Sequence, residues 1–404
     1  MGRGGRTACG RARRSAPHVC TRPFPSPLGA HVTVTDGWRP RAAALVASLR
    51  GEGAVRSEAV GRAVAAVPRH AFIPGYYSGG TRIAADPAAP TAELLDLAYA
   101  NRGIMTHLPG DAARTYSSAS QPSVVTRMLD AADLQPGHRV LEIGSGTGYN
   151  AALVRHITGA PVVTVEASAV VADEARSALA ATGTTGVTVH TGDGLAGRRD
   201  GGPYDRIAVT CGVAGIATAW LRQLAPGGVI VAPLALGGLH PLTRVTIDGG
   251  QPRAVLLASA DFMAATGALY ERAAPSPSAS GTALPEPDPA AARTVAELDP
   301  HSSYIDLWLY LALHDGRTTC AGGAHAGCAL TSPGEPPAAV YLRPDGTLLP
   351  SSGARRLADD VVRHAARWTA LGRPALTAWH TRLAPSGDRL HVPTRWGIRP
   401  GRGW

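Results

Sequence analysis

The stretch Val140-Leu141-Glu142-Ile143-Gly144-Ser145-Gly146-Thr147-Gly148-Tyr149 decides the fold. A strand over 138–143 runs into a helix over 149–157, so the alternating glycines between them form a strand-to-helix turn. Glycine there lets the main chain come close to a ligand and take backbone angles that other residues avoid. Downstream the pattern repeats. Residues 161–166 read as a strand, 169–181 as a helix, and 187–190 and 204–210 as strands. A helix then ends near Leu224, and Val229 to Ala232 forms a strand behind Pro226-Gly227-Gly228. Such alternation predicts an α/β, doubly wound parallel sheet with helices on both faces. Leu242 to Ile247 and Ala254 to Ala260, joined through Asp248-Gly249-Gly250, predict an antiparallel hairpin that finishes the sheet.

Three carboxylates give the turn a chemical meaning. Glu142 precedes the glycines, where it can order the turn and hold the amino group of a cofactor's amino-acid tail. Glu166 ends the second strand, 22 residues after Gly144, the place from which a carboxylate accepts hydrogen bonds from ribose hydroxyls. Asp193, in Gly192-Asp193-Gly194, can accept from an adenine amine. An NAD fold shares the first two features but favours G-x-G-x-x-G facing a pyrophosphate, whereas here Gly144, Gly146 and Gly148 alternate. The residues therefore point to S-adenosylmethionine, with Glu142, Gly144, Ser145, Gly146, Gly148, Glu166, Asp193 and Gly194 as its candidate site. Another nucleotide and a purely structural turn are the alternatives.

On the N-terminal side, Trp38 to Leu49 and a segment opened by Ser57 and closed at Val67-Pro68 read as two short helices, with a third at about 91–100. The expected organisation is a disordered Arg-rich leader or start-codon artefact (1–30), a helical cap with a substrate loop (31–113) and a Rossmann-like domain (114–272). A Pro/Ala-rich linker (273–300) and a small α+β extension (301–404) follow. The extension holds five of the seven tryptophans, Trp308, Trp368, Trp379, Trp396 and Trp404. They line either its core or a peptide groove.

Composition narrows the function. All 39 basic residues are arginine, which excludes Schiff-base lysines and a P-loop lysine. The net charge of +9 suggests nucleic acid until it is apportioned. Arg3, Arg6, Arg11, Arg13, Arg14 and Arg22 all precede the first acidic residue, Asp36, and the remainder is close to balanced. No nucleic-acid partner is expected. No apolar run approaches the roughly 18 to 20 residues of a membrane span. Five cysteines in so long a chain make no disulfide framework and imply a reduced, cytoplasmic protein. Cys320, His325 and Cys328 have the makings of a metal cluster but lack the second pair of ligands that zinc spacing requires, so no metal is expected.

Three further stretches carry a resemblance. Val67-Pro68-Arg69-His70-Ala71-Phe72-Ile73-Pro74, Ser120-Gln121-Pro122 with its distance to the glycine loop, and Gln223-Leu224-Ala225-Pro226-Gly227-Gly228 resemble the signatures of the protein-L-isoaspartate O-methyltransferases. The resemblance spans roughly residues 38 to 270. It implies a class I S-adenosylmethionine-dependent methyltransferase core and, as partner, a peptide or protein bearing an aspartyl or isoaspartyl carboxylate. The resulting ester can close to a succinimide. Thr115-Tyr116-Ser117-Ser118-Ala119 departs from the Thr-Ile that the family places before Ser120, and Cys211-Gly212-Val213 replaces its Ala-Ala-Pro. The extension is similar to that of actinobacterial relatives that mature peptides, so the expected role is peptide natural-product maturation, with general repair as the alternative. RNA base methylation and a non-catalytic peptide-binding partner are the other readings.

A carboxylate is ionised at neutral pH, so the transfer requires no general base, only positioning and removal of water. Ser120, with Ser117 and Ser118, offers hydroxyls at a helix start and forms the candidate catalytic set. Ser120 either orients the acceptor or caps the helix. Arg69 either steers a carboxylate or pairs with an acid, His70 packs or faces solvent, and Cys211 is a small buried residue near the cofactor.

Overall fold

A computed structural model describes residues 37–110, 115–260, 262–265, 269–270, 284–332, 337–387 and 389–398. The leader (1–30), Trp404, Cys9 and Cys20 lie outside the described residues.

The cap begins with α1 (Trp38–Gly51) and α2 (Glu58–Ala66). The Ser57 hydroxyl caps α2 by accepting the Val60 N–H at 3.2 Å, as the sequence predicts. Strands β1 (Gly75–Ser78) and β2 (Thr81–Ala84) form a hairpin ahead of α3 (Ala92–Ala98). Strands β3 (Ile104–His107) and β4 (Ser117–Ala119) form a second ribbon. The stretch before Ser120 therefore contains a strand over Ser117–Ala119, whose backbone is fixed by pairing with β3, which local composition does not show.

The core consists of α4 (Pro122–Ala132), β5 (Val140–Ile143), α5 (Tyr149–Thr158), β6 (Val162–Glu166), α6 (Ala169–Ala181), β7 (Val187–Thr191) and β8 (Tyr204–Val209). It continues through β9 (Ile216–Ala217), α7 (Thr218–Gln223), β10 (Leu224–Pro233), β11 (Leu242–Asp248) and β12 (Gln251–Ala258). Strands β7, β6, β5, β8 and β10 pair in parallel in that order, and β11 and β12 follow antiparallel. All four residues of β5 are buried, as a central strand covered on both faces requires.

The extension contains β13 (Arg293–Thr294), α8 (Ser303–His314), β14 (Thr318–Ala321), β15 (Gly327–Ser332), β16 (Ala338–Leu342) and β17 (Thr347–Pro350). It ends with α9 (Arg355–Ala370), β18 (Trp379–Ser386) and β19 (Leu390–Ile398). Strands β13, β17, β16, β15 and β14 make a separate sheet. Trp308, Trp368 and Trp379 are buried in the core formed with α8 and α9, and Trp396 packs against it. These four described tryptophans fill or flank a core.

Two boundaries differ from the expectation. Of the linker over 273–300, residues 273–283 lie outside the described residues, and the rest is built into the extension. Tyr341 Oη donates to Pro285 O at 2.7 Å, Asp288 N to Pro350 O at 2.8 Å and Val295 N to Gly346 O at 3.0 Å. Nor is the extension a detached unit. Strand β18 pairs with β12, and β19 returns to β9, making one ten-stranded sheet from both parts.

Among the described residues no helix is long and apolar enough to cross a membrane. Removing residues 284–404 would leave β12 as a bare edge beside the otherwise buried Leu256. The truncated chain is expected to aggregate or lose cooperative unfolding, read by size exclusion and urea denaturation. A monomer with wild-type cooperativity would show that the core does not need β18.

Candidate active site

A cavity of about 430 Å³ opens where β5, β6 and β8 end, the usual ligand position of a doubly wound sheet. The glycine turn forms its floor. Gly144, Gly146 and Gly148 all have positive φ, at 92°, 49° and 85°. A Cβ on Gly144 would lie 2.5 Å from Thr210 Oγ1, so a side chain is excluded by space as well as by backbone angle. Thr210 in turn donates to Ile143 O or Gly144 O, at 3.0 and 2.5 Å, locking the turn to the end of β8.

Glu142 is fully buried. It accepts from Asn150 Nδ2 at 2.7 Å and from Thr164 Oγ1 at 2.6 Å, while Ser145 Oγ lies 2.7 Å from Thr164 Oγ1. Burial raises its carboxyl to about 7, outweighing those hydrogen bonds. Glu142 and Ser145 thus hold the turn together from behind while still lining the cavity. Glu166 accepts the N–H groups of Gly146 and Ser168, each at 3.0 Å, and keeps lone pairs toward the cavity it lines. Asp193 accepts the Leu195 N–H at 2.9 Å, and Gly194 O accepts from Trp220 Nε1 at 2.8 Å.

The opposite wall comes from the cap. Ser117, Ser118 and Ser120 all line the cavity. The N-cap position of α4 falls to Gln121, which makes no side-chain cap bond; the Ser123 N–H is instead satisfied by Asn101 Oδ1 at 3.0 Å. The Ser120 hydroxyl does not make the capping bond.

Arg69 neither steers a carboxylate nor pairs with an acid. Its guanidinium is fully buried and donates to Ala98 O, to Arg102 O and Ala119 O at 3.2 Å each, and to Ser120 O at 3.0 Å. Burial lowers its pKa to about 10, so it stays charged at neutral pH. His70 packs beside Trp38, with Nδ1 3.0 Å from Tyr99 Oη, and burial takes it down to about 4. Cys211 lines the cavity, and burial pushes its thiol up to about 12, which removes it as a nucleophile.

Sequence reasoning missed Asn150, Thr210 and the apolar Phe262 and Met263 of the wall. Asn150 had a signal, since it stands eight residues after Glu142 on the first turn of α5. The other three had none, because they arrive from distant strands. Among the described residues, no arginine or histidine lines the cavity, and nothing beyond Leu269 does.

A family model described as protein-L-isoaspartate(D-aspartate) O-methyltransferase matches residues 40–268, more than half of the chain. The chain belongs to that family. A protein-L-isoaspartate O-methyltransferase of Ignicoccus hospitalis is 35% identical over 192 residues, covering 47% of this chain and 80% of the relative. One of Azorhizobium caulinodans is 34% identical over 233 residues, 57% of this chain and 95% of that one. A solved structure described as a protein-L-isoaspartate O-methyltransferase superposes with a TM-score of 0.52 at 23% identity, over 88% of this chain and 99% of that one. That likeness shows the fold, and its span reaches into the extension.

The methyltransferase uses S-adenosylmethionine, and its residues fit the cofactor. Gly144 leaves room where a Cβ would collide, Glu166 and Asp193 offer acceptors, and Asn150 Oδ1 is buried without a hydrogen-bond partner. Glu166 and Asp193 would hold the ribose and adenine, with Glu142 and Asn150 near the amino-acid end.

Glu166→Ala should weaken S-adenosylmethionine binding by about 1.5 to 3 kcal/mol, measured by titration calorimetry. Unchanged affinity would take Glu166 out of the site. Glu142 gives a pH prediction. Its folded pKa lies above the ordinary value of 4.5, so the native state holds its proton longer than the unfolded chain. Its contribution to unfolding free energy should fall as pH rises from about 4.5 to 7, and Glu142→Gln should flatten that fall. Urea titrations at several pH values would show it, and parallel wild-type and variant profiles would contradict it.

Proposed function

We propose that this methyltransferase esterifies an aspartyl or isoaspartyl carboxylate in a peptide or protein. The observation that carries the reading is the wall chemistry, in which serine hydroxyls face the glycine turn across a cavity without a cationic side chain among the described residues. Hydroxyls hold a carboxylate by hydrogen bonds and leave its charge available for attack, whereas a guanidinium would bind the same oxygens and blunt them. The cofactor supplies an electrophilic methyl on its sulfonium. This chain's part is to bind the acceptor, aim one oxygen and exclude water. Such positioning is worth up to about 7 to 11 kcal/mol.

Ser118 and Ser120 are the proposed orienting residues, both partly exposed within the cavity wall. Ser117 is buried in β4 and supports them. Phe262 and Met263, on the segment after β12, supply apolar surface that sheds water. The ester is a better electrophile than the acid. The nitrogen of the next residue in the substrate expels methanol and closes a succinimide, a step that asks nothing of the enzyme.

Maturation of a dedicated peptide is a second reading, resting on the extension. One observation weighs on it: no described extension residue reaches the cavity. The wall chemistry favours carboxyl methylation in either case.

The test is mass spectrometry of the protein with S-adenosylmethionine and two peptides, one isoaspartyl and one containing an ordinary aspartate. A gain of one methyl on either supports the reading, and methylation of neither defeats it. Ser120→Ala should lower kcat by at least about tenfold, the scale of one lost orienting hydrogen bond of about 1.4 kcal/mol, with cofactor affinity unchanged. Wild-type turnover in that variant and in Ser118→Ala would remove the hydroxyls from the mechanism.

A further inference from the structure

Cys320 and Cys328 stand directly opposite each other in the antiparallel pair β14–β15. Three rungs away the Thr331 N–H donates to Arg317 O at 3.1 Å, so residues 317 and 331 form a hydrogen-bonded rung. Rungs alternate along an antiparallel ladder, which makes the cysteine rung a non-hydrogen-bonded one. The Cys328 N–H agrees, since it is donated to Tyr304 Oη at 2.8 Å. At such a rung the Cα atoms are about 4.5 Å apart and the side chains lean together on one face. That separation lies inside the disulfide range of roughly 4.4 to 6.8 Å. No disulfide joins the two, with Cys328 buried in the extension's core and Cys320 partly exposed against it.

The metal reading of these residues does not survive the geometry. The His325 ring packs on Tyr341, 5.1 Å between centroids, and its Nε2 lies 3.3 Å from Glu286. Tyr341 stands opposite Ala329, next along β15 from Cys328, so His325 sits on the other face of the sheet. Among the described residues no three potential ligands converge.

We propose that Cys320 and Cys328 are a redox modification site that closes to a cross-strand disulfide on exposure to a small-molecule disulfide. Cys320, the more exposed, attacks as thiolate, breaks the S–S bond of the oxidant and releases one thiol. Cys328 then loses its proton and attacks the Cys320 sulfur, releasing the second thiol. Two protein S–H bonds are replaced by one S–S bond, and the oxidant is reduced to two thiols. Burial holds the Cys328 thiol well above its ordinary value, so closure is the slower step. The hairpin abuts the core sheet, where a Cβ on Gly238 would lie 2.5 Å from Cys320 Cβ.

The test incubates the full-length reduced protein with oxidised glutathione, quenches it in acid, alkylates it denatured and digests it with trypsin. Cleavage after Arg317 releases both cysteines on one peptide that begins at Thr318. That peptide should escape alkylation and weigh two hydrogens less than its reduced form, reversibly with dithiothreitol. In Cys328→Ser, Cys320 should instead keep glutathione. Full alkylation of the pair in the wild type, glutathione persisting on wild-type Cys320, or a disulfide between chains would each overturn the proposal.

Discussion

The buried guanidinium of Arg69 fixes the serine wall of the site to the helical cap. It binds main-chain oxygens at the end of α3, at Arg102 and at the last residue of β4 and its successor, Ser120. Ala98 and Ala119 are the last residues of α3 and β4, and Arg102 and Ser120 lie outside them, where regular main-chain bonding gives out. A charged group taken out of water is costly unless its surroundings are strongly polar, and several converging carbonyl dipoles supply that. Because two of the acceptors flank the serine wall, the position of the reacting side depends on a residue that does not line the cavity. The Val67–Pro74 signature therefore serves architecture, with Phe72 packing on Tyr149 of the cofactor half.

Much of this was legible in sequence because the parallel core writes its pattern locally. Strands β5 and β6 are apolar runs each followed by a turn and a helix, and Gly144 stands where backbone angle and space both exclude a side chain. The carboxylates that line the cavity, Glu142, Glu166 and Asp193, were picked out by their place at or just beyond strand ends. Illegible were the features made by pairing at a distance. Nothing within Ser117–Ala119 says that β3 lies alongside, and the Pro and Ala of 284–300 resemble a linker although they support the edge of a sheet. Arg69 was noticed but misread, since main-chain acceptors carry no sequence signature.

The division of labour within the molecule follows from the same sheet. The residues that line the cavity are drawn from the cap, the parallel half and the segment after β12, while the extension supplies mass behind the antiparallel end. Its described tryptophans are spent on its own core, where Trp368 is wholly enclosed and Trp308 donates to Gly237 O at 2.8 Å across the junction. The junction is thus held by specific hydrogen bonds as well as by apolar packing.

The pairing of β12 with β18 also bears on how the chain reaches its folded state. Arg253 and Arg382 face each other across that ladder, and His391 of β19 returns to Ile216. Contacts of such sequence separation raise the contact order and slow folding, since long loops must close before they are rewarded. On a ribosome the parallel half emerges with its hairpin edge uncovered, because β18 begins at Trp379, far along the chain from the end of β12 at Ala258. During synthesis the nascent protein presents an adhesive edge, an interval in which chaperones or a neighbouring chain compete with its own C-terminal strands.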